Sequence, residues 1–274
     1  MNRLMQWVIA AALICSSTVF TSCSDDDDNS VDPAKNLSEK IIGKWMDAYK
    51  DGQPATTNNK MVLTFVSPTK AYICASLNVL HGVSTAWFDH IEADVAIDGD
   101  KVTVTSHPDE HRTLVHEYII IDINGSQFKA NHKVTYTVDG EVEFDKEDVV
   151  RYVKIKADYS EAILGLWECK GLKGGETYND GNDRLEFFED GTYNYYRKND
   201  AGEWEAVTTR EFQEYFVDGN FLATRWKNEG EDELREWWEI KSLKGDKMQW
   251  KALRANEDGS TFQQIMDWEK IEED

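Results

Sequence analysis

The chain repeats itself, and few folds accommodate a repeat of this length. Ile42-Gly43-Lys44-Trp45 returns 122 residues later as Leu164-Gly165-Leu166-Trp167. At the same shift Leu63-Thr64-Phe65 meets Leu185-Glu186-Phe187. Val95-Ala96-Ile97-Asp98-Gly99 meets Tyr215-Phe216-Val217-Asp218-Gly219 at a shift of 120, as Ile123-Asn124-Gly125 meets Leu243-Lys244-Gly245. Tyr152-Val153-Lys154-Ile155 meets Trp268-Glu269-Lys270-Ile271 at 116. Chance matches would scatter, whereas these anchors keep their order, so the chain is expected to carry tandem copies of one domain. The reading places domain 1 at 41–157 and domain 2 at 158–274.

Each copy reads as β-structure. Leu185 and Phe187, Tyr193 and Tyr195, the row Leu222, Thr224, Trp226 and the row Met248, Trp250, Ala252 all alternate with polar neighbours. So do Met61, Leu63, Phe65 and the pair Val102, Val104. Period-two alternation over short runs marks half-buried strands. Asp98-Gly99, Asn124-Gly125, Asp139-Gly140, Asp190-Gly191, Asp218-Gly219 and Lys244-Gly245 punctuate the runs, and such tight turns join antiparallel neighbours. The fold class expected is all-β, with two tandem small eight-stranded antiparallel up-and-down barrels. A β-sandwich is the alternative.

A Gly-x-Trp on the first strand (Gly43-Lys44-Trp45 and Gly165-Leu166-Trp167), the eight-strand meander and a basic residue on the last strand resemble the lipocalin fold. More narrowly, the halves resemble the short lipocalin-like domains of Bacteroidota lipoproteins. The resemblance implies that Trp45 closes one barrel floor beneath Lys154, and Trp167 the other beneath Lys270. Lipocalins usually place arginine where these lysines stand.

The first forty residues read as an address. Residues 1–22 have the apolar run of a signal peptide, Trp7 to Phe20, too short to span a bilayer. Phe20-Thr21-Ser22-Cys23 resembles a bacterial lipobox, with Leu13-Ile14-Cys15 as a weaker competitor. Cys23 is then the lipidated (palmitate-bearing) mature N-terminus. The run Asp25–Asp28 directly after it resembles the surface-export signal of Bacteroidota lipoproteins. The location implied is a lipid anchor in the outer membrane at the cell surface, or facing the periplasm. Residues 23–40 read as an acidic flexible tether. The chain's 30 basic and 52 acidic residues give a net charge of −22, which disfavours nucleic acid as a partner.

The chemistry-bearing residues are sparse. All six histidines, His81, His90, His107, His111, His116 and His132, fall in the first copy, so no shared catalytic centre of the two copies uses histidine. His107 and His111 lie in a loop with nothing to align them on a metal. His132 shares an inward row with Phe128, Ala130, Val134 and Tyr136, as a core histidine or a ligand contact. Asp180, Asn182 and Asp183 read as an Asx-rich turn rather than a calcium loop. The acidic run Glu229 to Glu233 reads as a solvated loop. Cys74 and Cys169 stand at non-equivalent positions, as buried thiols or, less simply, a cross-domain disulfide. No catalytic residue, metal site or cofactor motif is expected.

Tryptophan is concentrated in the second copy, which holds seven of the ten. Tyr193, Tyr195, Trp226, Trp238 and Trp250 on inward rows are the candidate ligand contacts, with Tyr118, His132 and Tyr136 in the first copy. They either pack a core or line an aromatic cup. Trp237, of opposite parity, faces the other domain or forms an outer platform. The expected function is a non-enzymatic, lipid-anchored binding protein for a small hydrophobic or amphipathic molecule or a glycan fragment. The alternative is a structural lipoprotein with filled barrels that binds another envelope protein.

Overall fold

The computed structural model describes residues 33–57, 59–77, 86–174, 183–256 and 258–272. The leader, Cys23 and the aspartate run lie outside these residues, as do His81, Asp180 and Asn182. Helix α1 (Pro33–Lys40) precedes nine strands: β1 (Gly43–Lys50), β2 (Gln53–Pro54), β3 (Asn59–Ser67), β4 (Lys70–Leu77), β5 (Ala86–Asp98), β6 (Lys101–Ser106), β7 (Arg112–Ile123), β8 (Gln127–Val138) and β9 (Glu141–Ile155). Nine more follow: β10 (Gly165–Lys173), β11 (Asp183–Phe187), β12 (Tyr193–Lys198), β13 (Trp204–Ala206), β14 (Arg210–Asp218), β15 (Phe221–Asn228), β16 (Glu233–Lys244), β17 (Lys247–Ala255) and β18 (Thr261–Lys270).

In the first copy every long strand pairs antiparallel with its sequence neighbour, and β1 pairs with β9. That last ladder closes the sheet on itself, so the sandwich alternative falls. The short β2 is a flap on β1. The second copy repeats the order, with β10 pairing both β11 and β18. It differs at one seam. Where β4 and β5 form a full ladder, β12 and β14 are joined by the isolated bridge Thr192–Glu214, and the sheet is a curled, open one. The short β13 pairs with β12 at this end of the sheet.

The floors match in detail. Trp45 Nε1 donates to Ile41 O at 2.6 Å, and Trp167 Nε1 donates to Ile163 O at 2.6 Å. Lys154 Nζ lies 4.8 Å from the Trp45 ring centroid and Lys270 Nζ 5.5 Å from that of Trp167. Lys154 also donates to Ile42 O at 2.8 Å. Both first strands bulge against the last strand, at Asp47/Tyr49 and at Cys169/Gly171.

The tether expected over 23–40 ends sooner than its composition suggests. Residues 33–40 are helical because Leu37 is buried in the first core and Ile41 N–H closes onto Leu37 O at 2.9 Å. Pro33 sits at the helix start, where its missing N–H costs nothing. The equivalent bond in the second copy, Ile163 N–H to Tyr159 O at 3.0 Å, extends the repeat back to Leu37-Ser38-Glu39 and Tyr159-Ser160-Glu161.

The barrels are docked on their outer faces. Met46, Val62 and Cys74 from β1, β3 and β4 form one cluster with Phe216, Phe221, Ala223 and Trp237 from β14, β15 and β16. Trp237 is therefore domain–domain packing, 3% exposed. A buried ion pair, Lys60–Glu239, crosses the same face, and Lys44 pairs with Asp218 beside it. Thr57 N–H donates to Leu253 O at 2.9 Å and Tyr159 N–H to Gly219 O at 3.0 Å, so backbone bonds also join the two.

Candidate functional site

The two interiors differ. In the first, Trp45, Phe65, Tyr118, Phe128 and Tyr152 are at most 1% exposed and pack against one another. Tyr118 and Tyr152 share a hydroxyl–hydroxyl bond of 3.2 Å. His132 stacks on Tyr118, Nδ1 meets Asp148 Oδ1 at 2.7 Å, and Nε2 meets His116 Nδ1 at 3.0 Å. Tyr136 is 2% exposed. Tyr118, His132 and Tyr136, the first-copy ligand candidates, are thus buried side chains, Tyr118 partnered by Tyr152 and His132 by Asp148 and His116, because an eight-stranded cylinder is just wide enough for its own residues to fill.

The second interior keeps a cavity of about 240 Å3. Its wall contains all five second-copy candidates: Tyr193 and Tyr195 from β12, Trp226 from β15, Trp238 from β16 and Trp250 from β17. Sequence reasoning passed over Trp268 as a ligand contact, as well as Asp183, Arg197, Arg210 and Glu236, which also line it. Asp183 is strand β11 rather than turn, 4% exposed, and accepts the Tyr195 hydroxyl. The available signal was register, since Asp183 has the parity of Leu185 and Phe187.

The wall and the residues stacked on it are of two materials. One is a run of indoles across three adjacent strands, Trp238 to Trp250 at 5.8 Å and Trp250 to Trp268 at 4.5 Å between ring centroids. Such tilted pairs bury large apolar area and leave the N–H groups to find acceptors. Trp238 Nε1 has Glu236 Oε2 at 3.3 Å. Trp250 Nε1 and Trp268 Nε1 are buried with no acceptor, on side chains 2% and 3% exposed.

The other material is a set of guanidinium groups on aromatic faces. Arg210 stands at the open seam, its Cζ 4.6 Å from the Tyr195 ring on β12 and 5.0 Å from the Trp226 ring on β15. Its Nη1 donates to Gln213 Oε1 at 2.7 Å, while Nε is buried without an acceptor. Burial draws its pKa below the ordinary arginine value, and nearby Arg197 adds to that fall. Arg197 Nε donates to the Tyr195 hydroxyl at 2.6 Å. Burial and the neighbouring Asp183 push that phenol up to about 12, so it is a neutral donor and acceptor. Arg254 lies 4.8 Å over Trp238, its pKa lowered by burial against the opposing pull of Glu236.

The arrangement presents flat indole faces, the guanidinium donors of Arg197 and Arg210 and the carboxylates of Asp183 and Glu236 around one small space. Among the described residues it brings together no nucleophile backed by a base. In the first barrel His116, His132 and Asp148 form a hydrogen-bonded chain, but it is buried and ends at His116 Nε2, which has no partner. His107 and His111 lie at the β6–β7 loop and bond Thr113 Oγ1 at 3.1 Å and Asp139 Oδ1 at 2.7 Å. Cys74 and Cys169 are free and buried.

No protein-family model matches this chain, and no curated protein matches it. Among solved structures it is similar to a DUF3598-family protein of unknown function from Nostoc punctiforme, at 11% identity and a TM-score of 0.25, over 88% of this chain and 100% of that one. It is also similar to a proposed outer membrane protein from Bacteroides fragilis, at 10% identity and a TM-score of 0.21, over 85% of this chain and 99% of that one. Likenesses this distant carry no functional argument, which rests on the cup.

Proposed function

We propose that the second barrel is a non-enzymatic receptor cup for one small polyhydroxylated or carboxylate-bearing ring, such as a terminal sugar or uronic acid of a glycan, and that the filled first barrel is its rigid support. The observation that carries this reading is the pair of buried, acceptor-less indole N–H groups of Trp250 and Trp268 in the cavity wall. Buried donors are nearly always paired, and an unpaired one costs about 1–3 kcal/mol. A ligand bearing ring oxygens, hydroxyls or a carboxylate supplies the missing acceptors. Arg210 Nε asks for the same chemistry, and Asp183 and Glu236 accept from hydroxyl groups. The indole faces take the apolar face of the ring.

Size narrows the class. A space of about 240 Å3 lies below the roughly 300–1,000 Å3 of drug-sized sites. That is a compact space, suited to a single ring. The lipobox-like Cys23 and the aspartates after it support presentation of the cup at the cell surface on a lipid anchor.

Tryptophan fluorescence and calorimetric titration of the protein with neutral monosaccharides, uronic acids, and decanoate as an alkyl control test this. Binding of a sugar or uronate is expected, weakened at least tenfold by Arg210→Met and by Trp250→Phe. Saturation by decanoate alone, or no response to any ring compound at millimolar concentration, refutes the reading.

A further inference from the structure

Where the barrels meet, β4 and β5 bring Cys74, Asp89 and His90 together, and β14 places Asp218 beside His90. Ile73 pairs with Ile91 and Ala75 with Phe88, so Cys74 faces a two-residue bulge, Asp89-His90. His90 sits at φ +53°, uncommon for a residue with a Cβ and held here by its surroundings. Its backbone N–H donates to Cys74 Sγ at 3.3 Å. One ligand atom from each of Cys74, Asp89 and His90 lies within 4.8 Å of the others.

The second barrel contributes an acid to the same place. Asp218 is 2% exposed, and its Oδ1 pairs with Lys44 and lies 3.8 Å from His90 Nε2. Its Oδ2 is buried with no donor. Asp218 thus has one oxygen shared between Lys44 and the neighbourhood of His90 and a second that is buried without a partner, and burying such an oxygen unpaired is costly.

We propose that Cys74, Asp89, His90 and Asp218 form a zinc-class divalent metal site that pins the two barrels together. The donor set decides the metal: thiolate and imidazole with carboxylates suit Zn2+, whereas Ca2+ and Mg2+ take oxygen ligands. Zinc bonds of about 2.0–2.3 Å put tetrahedral ligand atoms roughly 3.3–3.7 Å apart. Asp89 Oδ1 lies 2.5 Å from His90 Nδ1 and Asp218 Oδ1 lies 3.8 Å from His90 Nε2, so binding exchanges the Asp89–His90 bond for bonds to the metal and draws Asp218 in. Asp89 and His90 can move inward, being 43% and 47% exposed. Charge also closes: one thiolate and two carboxylates balance one Zn2+ and the Lys44 ammonium. Lys44 stays on Oδ1 while Oδ2 takes the metal, the outer-shell arrangement that orients ligating carboxylates. On binding, Cys74 gives up its thiol proton and His90 coordinates as neutral imidazole.

The test is titration of the chelator-treated full chain with Co2+. The expected result is a thiolate-to-cobalt charge-transfer band with the intense visible bands of tetrahedral cobalt, saturating at one equivalent. The bands persist in Cys169→Ser and vanish in Cys74→Ser, and cobalt affinity falls at least tenfold in Asp218→Asn. Zinc raises the melting temperature of the unmodified protein and leaves that of Cys74→Ser unchanged. A band that survives Cys74→Ser, an affinity untouched by Asp218→Asn, or no thiolate band at one equivalent overturns the proposal.

Discussion

Replacing Glu239 by glutamine should unfasten the barrels. The carboxylate lies at the interface with its side chain 8% exposed, pairs with Lys60 (5% exposed), and has Lys251 Nζ at 2.7 Å. Burial pushes the Glu239 carboxyl up, but Lys60 and Lys251 together outweigh burial and hold it below the usual glutamate range. Glutamine keeps the shape and removes the charge, which strands the Lys60 ammonium out of water. Asp47 also faces Lys60, but burial pushes that carboxyl up, so it is a poor substitute counter-charge. Breaking a buried pair from one side costs about 3–5 kcal/mol. At roughly 2–4 °C per kcal/mol for a chain of this size, the melting temperature should fall by about 6–20 °C. The companion variant Lys60→Met/Glu239→Leu removes both charges and should recover most of that loss, because two desolvated ions are exchanged for apolar packing. Because the folded carboxyl titrates lower than the unfolded one, the pair's contribution is full above about pH 4.5 and fades as pH falls through the folded value. Thermal melts of the unmodified protein, Glu239→Gln and Lys60→Met/Glu239→Leu at pH 7 and pH 4 measure it. A loss below about 1 kcal/mol in Glu239→Gln, or a double variant as unstable as the single one, would refute the reasoning.

Three further outcomes are expected. Gly43 has φ +124° and a Cβ there would lie 2.6 Å from Lys154 Cε, so Gly43→Ala should cost about 1–3 kcal/mol in urea unfolding and displace Lys154 from the Trp45 face; unchanged stability counts against that floor geometry. Burial, then His132 and Lys50, holds the His116 pKa well below the ordinary value, so only the unfolded chain gains a proton there just below pH ~6.5. Stability should therefore drop with falling pH by up to about 1.4 kcal/mol per unit more steeply than in His116→Phe, as chemical denaturation at pH 7, 6 and 5 reads; parallel slopes defeat it. Finally, residues 158–274 made alone would expose Phe216, Phe221, Ala223 and Trp237, and should self-associate in size-exclusion chromatography with light scattering unless Trp237→Lys is introduced; a monodisperse unmodified half contradicts the docking role of that face.

The outer face that docks the barrels was partly written in the chain, in a form that alternation obscures. Lys60–Leu63, Tyr215–Asp218, Phe221–Thr224 and Trp237–Ile240 are each buried at four successive positions. A strand covered on both sides loses its period, so these runs were the trace of an interface rather than noise. The partner of each run was not legible, since Lys60 and Glu239 are 179 residues apart and nothing local couples them. Cys74 and Asp218 are likewise joined only through docking of the two sheets.

The sequence by itself determined the strand periods, the turn positions, the internal repeat and therefore the meander, because each is set by neighbours along the chain or by one copy echoing the other, while the Trp–Lys floors were implied by resemblance alone. It determined which side chains face inward, but not whether an interior is full. That was decided in three dimensions. The first cylinder closes through the β1–β9 ladder and its aromatic residues fill it. The second lacks the β12–β14 ladder, stays open at Arg210 and retains room among its indoles. Parity along a strand gives direction, whereas a cavity is a residual volume left by many side chains from strands far apart in sequence, and only their joint packing sets it.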